Sequence, residues 1–221
     1  MTNTVHTTHD AHEGGHHDTP EQRDRKEISA LILFIAGDAL FLVLEILAWF
    51  YLRALNPNDG WRFSTATPSS PAVSGSNNPH DITSIVAQAP KSWAIAVALV
   101  TLAIGLFVWV GERRARSGKS PSGLLVLGAA TSVAAIVVQI LQFQDLPFET
   151  TDGAYASCVE FFMGSNLAHL LIVFLVTLGV AIRANKGLYA TNWYQIRLAR
   201  IWSLWVGISA VLLTAVSILF V

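Results

Sequence analysis

The sequence predicts an all-α, polytopic membrane protein: a bundle of five transmembrane helices, with its N-terminus in the cytoplasm and its C-terminus outside. Three observations predict it. Hydrophobic residues make up 52% of the 221 and charged residues only 13%, with a mean hydropathy of +0.49, whereas a soluble domain carries about 25% charged residues. Five stretches are apolar over the roughly 20 residues that a helix needs to cross a bilayer core, and they run without the alternation of barrel strands. The basic residues also segregate. Arg23, Arg25 and Lys26, then Arg113, Arg114, Arg116 and Lys119, then Arg183, Lys186, Arg197 and Arg200 fall on one side of the membrane. Only Arg53, Arg62 and Lys91 fall on the other. The basic side is expected to be cytoplasmic.

Taken in order, residues 1–26 are rich in His, Thr, Asp and Gly and are expected to be a disordered cytoplasmic tail. The membrane domain then occupies 27–221. Its first span, 28–52, is too long for the apolar core of a signal peptide, so it is expected to insert and stay. An extracytoplasmic loop at 54–92, dense in Pro, Ser, Asn and Gly, follows; it is too long to be a mere turn. It carries one short amphipathic piece at Asp81–Ala89 with Asp81 as its cap. Further spans are expected at 93–110, 124–143, 156–182 and 201–221, with Pro147 ending the third helix's exit. No internal repeat is present, which counts against an inverted-repeat transporter.

Composition also excludes functions. A net charge of -1 gives no electrostatic reason to bind nucleic acid. The single Cys158 forbids an internal disulfide and any site needing two thiolates. Only His169 lies in a span, so no haem, copper or other metal centre is expected in this chain. The tail histidines His6, His9, His12, His16 and His17 read either as a weak metal collector or as a solvated low-complexity segment.

Ionisable and amide groups at membrane depth are therefore the candidates. Asp38 lies ten residues into the first span, about 15 Å deep at 1.5 Å per residue. Glu45, two turns on, shares nearly the same face; the pair faces a neighbouring subunit, a hydrated groove or another helix. Gln139 and Gln142 share a face near the end of the third span and read as interhelical glue. In the fourth span Glu160 and His169 are nine residues apart, so they cannot form a dyad within that helix. Asn166 does share a face with His169, and Gly164, Ser165 and Ala168 leave one side narrow enough for close packing. Arg113, Arg114 and Arg116 are either contacts for anionic lipid headgroups or the positive-inside signal alone.

Two of these stretches carry a family likeness. The first is Leu31–Tyr51, LILFIAGDALFLVLEILAWFY. The second is Gln139–Leu171, QILQFQDLPFETTDGAYASCVEFFMGSNLAHLL, with its Gln near a helix end, Pro147-Phe148, an Asp152-Gly-x-Tyr-x-Ser turn, Phe161-Phe162 and Gly164-x-x-x-x-His169. In these the chain resembles subunit III of the haem–copper oxidases (cytochrome c oxidase polypeptide III) in its five-helix bacterial form. The likeness extends over about Arg25 to Val221. Departures are specific: Asp38 stands for the family's glutamate, Gln142 for an acidic residue and Asn166 for the first of two histidines. Glu45 stands where the family has an apolar or small residue. The last helix, around Leu198–Trp202, keeps only Trp205 of the family's pattern.

The resemblance implies a non-catalytic integral subunit of a respiratory terminal oxidase in the bacterial cytoplasmic (inner) membrane, part of the aerobic electron transport chain. It would hold no cofactor of its own. Haems and copper would belong to the catalytic subunit I, with subunit II in the same complex. This chain would support proton translocation by packing against subunit I, binding phospholipid and preserving proton uptake. Asp38, Gln139 and His169 carry the family's positions. A subunit-III-like partner of a nitric oxide reductase, or a small stand-alone proton-coupled transporter using Asp38, Glu45, Glu160 and His169, are the alternatives.

Overall fold

A computed structural model describes residues 19–55, 61, 88–189 and 193–220. The expected tail before Thr19, and the amphipathic piece at Asp81–Ala89 except for Gln88 and Ala89, lie outside the described residues. Those residues contain five helices long and apolar enough to cross a membrane, and no strand. They are α1 (Pro20–Leu55), α2 (Lys91–Arg116), α3 (Ser122–Gln144), α4 (Ala154–Asn185) and α5 (Tyr194–Leu219), with a short 3₁₀ turn at Thr150–Asp152 before α4.

The helices outrun their apolar cores. α1 starts inside the segment expected to be disordered, and the reason is local chemistry. Thr19 and Gln22 form a reciprocal cap: the Thr19 N–H donates to Gln22 Oε1 at 3.0 Å, and the Gln22 N–H donates to Thr19 Oγ1 at 3.3 Å. Pro20 sits at the first helical position, where its missing N–H costs nothing. Arg23 and Glu27 then pair one turn apart at 3.0 Å. At their basic ends α2 and α4 stop on Gly118 and Gly187, both at φ 71°. In each, the glycine N–H bonds the carbonyl three residues back and the next N–H reaches five back (Lys119 to Arg114, Leu188 to Arg183).

Consecutive helices run antiparallel. The start of α1 lies beside the start of α5, where the Tyr194 hydroxyl donates to the Asp24 carbonyl. Their far ends also meet, through the Trp49 indole and the Phe220 carbonyl at 3.3 Å. The ends of α2 and α4 share that first face, here called the N-face.

The centre of the bundle is α2, packed against α5 and α3. It crosses α5 at two glycines. A Cβ at Gly105 would come within 2.8 Å of Leu204 Cδ2 and 3.2 Å of its Cα; one at Gly207 would come within 3.1 Å of Leu102 Cα. The close crossing expected from Gly164, Ser165 and Ala168 on α4 is therefore elsewhere. Gly164 and Ala168 are exposed, and a Cβ at Gly164 would meet nothing within 4 Å. A small residue permits a close approach, but the facing helix decides whether one occurs.

By contrast α1 hangs on one seam. Among its buried or partly buried positions, Leu31, Ile35, Asp38, Leu42, Glu45, Trp49 and Leu52 recur about every 3.5 residues and keep one line facing α4 and α5; Ala39 and Ile46 flank that line. Near the end opposite the N-face Trp49 is fully buried among Trp61, Tyr155 and Phe162, with ring centroids 5.3–5.7 Å away.

Candidate functional site

Half-way along that seam the apolar line is broken by Asp38. Its carboxylate is held from two helices: Oδ1 lies 2.8 Å from His169 Nε2 on α4, and Oδ2 accepts the indole N–H of Trp205 on α5 at 2.6 Å. The second ring nitrogen of His169, Nδ1, lies 2.8 Å from the Ser165 carbonyl, one turn earlier. Trp202 covers the ring, its centroid 5.9 Å away, and Phe34 closes over Trp202 at 5.1 Å. Both Asp38 and His169 side chains are only 14% exposed.

This geometry dictates where the protons sit. A carbonyl oxygen only accepts, so Nδ1 must carry hydrogen. Nε2 then has two states. It either accepts a proton held on Asp38 Oδ1, or carries that proton itself and donates it back to a carboxylate. Both states use the same atoms and the same distances, and both carry the same net charge. Trp205 stays a donor to Oδ2 in both. The partner left open by the sequence thus lies within this chain, on α4 and α5.

Glu45 occupies the same seam two turns on and is only 3% exposed. It lies beside His169 and Asp38, and the Ser165 hydroxyl of α4 faces its carboxylate. The amides form a second polar group, between α3 and α4. Asn166 Nδ2 donates to Gln139 Oε1 at 2.7 Å, and Gln139 Nε2 donates to Gln142 Oε1 at 2.9 Å. All three are buried. Asn166 and His169 share the inner side of α4, as their spacing predicts, but serve different neighbours.

Glu160 is not part of either group. It lies in the second turn of α4, where its carboxylate accepts the Thr150 hydroxyl of the preceding 3₁₀ turn, so it ties a loop to a helix end and does not sit at mid-membrane depth. The three arginines divide as well. Arg116 donates to Glu112 Oε1 at 2.5 Å and stacks on Trp193 at 4.3 Å. Arg113 lies over Trp109 at 4.2 Å, and Arg114 is exposed.

Sequence reasoning missed Glu112, and it named Trp205 and Ser165 without their roles beside Asp38 and His169. Glu112 is 1% exposed and also pairs with Arg200 Nε at 3.0 Å, locking the end of α2 to the start of α5. Its spacing from Arg116, one turn, was the available signal. The roles of Trp205 and Ser165 had none, because each depends on which helix lies opposite. Among the described residues no three His, Cys, Asp or Glu side chains gather as a metal-ligand set.

On the N-face, a groove of about 410 Å³ opens between α1, α4 and α5. Leu31, Phe34, Leu175 and Trp202 wall it, and Arg183, Tyr189 and Gln195 line its polar end. There Gln195 Oε1 accepts from Tyr189 Oη at 3.1 Å and from the Arg183 guanidinium. Burial pushes the Tyr189 phenol up, against the opposing pull of Arg183, and so keeps it a donor. No protein-family model matches the chain, and no curated protein matches it either.

Proposed function

We propose that this multi-pass membrane protein is the non-catalytic subunit III of a respiratory haem–copper terminal oxidase. It would lie in the bacterial cytoplasmic membrane with the N-face cytoplasmic and its C-terminal end outside. One observation carries the reading. The two stretches that resemble the family each contribute one member of the Asp38–His169 pair, and these residues, 131 positions apart, meet at 2.8 Å. A likeness in two separate segments thus converges on one structural unit in the middle of the bundle.

In this reading the chain's residues support a catalytic subunit I, which with subunit II would hold the haems and copper. The Asp38–His169–Trp205 bridge fixes α1 against α4 and α5, and so fixes the groove between them. An apolar trough that ends in Arg183, Tyr189 and Gln195 fits one phospholipid: acyl chain along Leu31, Phe34 and Leu175, phosphate at Arg183. The pair would hold its proton beside the partner's uptake route.

Asp38→Asn tests it in the purified complex. The expected result is an intact complex that reduces oxygen at the normal initial rate but inactivates sooner during turnover. Nitric oxide consumption in place of oxygen would move the chain to the reductase branch. Loss of a proton flux that the isolated chain carries by itself would make it a transporter.

A further inference from the structure

The amide ladder opens onto a cavity that the pairing of Asp38 and His169 does not use. It lies among α2, α3, α4 and α5, with a volume of ≈ 50 Å³. Its polar lining runs from Lys91, Thr214 and Ser217, at the ends of α2 and α5 opposite the N-face, inward to Gln142, Gln139 and Asn166. Asn166 is twelve residues into α4, so it lies about 18 Å from the start of that helix at 1.5 Å per residue. Asn166 is 6% exposed, and its Oδ1 is buried without a partner although Nδ2 is bonded.

An unpaired carbonyl at that depth costs about 1–3 kcal/mol unless something donates to it. The cavity has room for about three waters at roughly 15 Å³ each, and too little for a lipid chain. We propose that it is a water site: a short file of ordered water that enters at Lys91 and Ser217, is carried along Gln142 and Gln139, and ends by donating to Asn166. It would bring exchangeable protons from the face opposite the N-face to within one turn of His169 on the same helix, at i and i+3. The inference does not rest on the oxidase reading, because any function of the chain would have the same lining.

Met163 provides the probe. It lines the cavity and is 5% exposed, whereas Cys158, one and a half turns earlier on α4, is 8% exposed and lies outside the lining. Radiolysis of bound water beside a sulfur oxidises it where bulk radicals do not reach, converting Met to its sulfoxide. The full chain in native membrane, irradiated in ¹⁸O-labelled water and read by peptide mass spectrometry, should show Met163 oxidised several-fold faster than Cys158. Asn166→Leu should reduce that rate towards the Cys158 value, and Asn166→Asp should preserve it. Met163 oxidised no faster than Cys158 in the unaltered chain would overturn the proposal. So would rapid oxidation that Asn166→Leu leaves unchanged, since Asn166 would then not hold the water.

Discussion

Asp38 and His169 each satisfy the other, so removing either leaves the remaining group buried and short of a partner. Hydrogen bonds inside membrane proteins are worth about 0.6 kcal/mol on average and up to about 1.7, and this one joins two ionisable groups. A double-mutant cycle with Asp38→Asn and His169→Gln, read by thermal unfolding in detergent, is expected to give a coupling energy of about 1–2 kcal/mol. Additive single effects would mean that the two side chains do not share a proton. Glu45 behaves oppositely. Its carboxylate is buried with only the Ser165 hydroxyl facing it, so Glu45→Leu, which removes the polar group and keeps the volume, should stabilise the chain by about 1 kcal/mol. A lowered melting temperature would show that Glu45 has a partner that supports it. The sequence marked Glu45 by polarity alone, because ionisable residues are rare in a span, and Asp38 and His169 by polarity together with the family likeness. It did not mark Trp205 as Asp38's second donor, because tryptophan is unremarkable in an apolar run.

Among the elements, α2 and α1 are opposites. At the α2–α5 crossing a methyl group at Gly207 would stand 3.1 Å from the Leu102 Cα, backbone that cannot swing aside. Gly207→Ala should therefore cost about 1–3 kcal/mol by overpacking, while Gly164→Ala, with open space around it, should be neutral in the same melt. Equal effects would contradict the crossing. Glu112 closes the N-face end of this pair by holding Arg116 and Arg200 together. Glu112→Gln should thus destabilise more than Arg116→Gln, whose side chain is 45% exposed, and thermal unfolding of both variants tests that order. Helix existence was legible because each span is a continuous apolar run. Helix ends were not, because Thr19–Gln22 and Arg23–Glu27 continue α1 through polar turns that hydropathy does not register. Nor was the crossing, since Gly105 and Gly164 look alike until the opposite helix is known.

For the whole molecule, the uneven attachment of α1 matters most. Only 11% of its apolar window is buried in the chain, against 44% for α5, and it is held by the Asp38 bridge at the centre, the Trp49 cluster at one end and the Tyr194–Asp24 hydrogen bond at the other. A helix so lightly held leaves long apolar faces for lipid and for a larger partner, which is what a supporting subunit needs. The measurement that tests this directly is a reduced-minus-oxidised spectrum of the chain, tagged and extracted in mild detergent, alongside the polypeptides that travel with it. The account predicts haem bands and a large, many-helix partner in the same fraction. A colourless chain that elutes alone would contradict it.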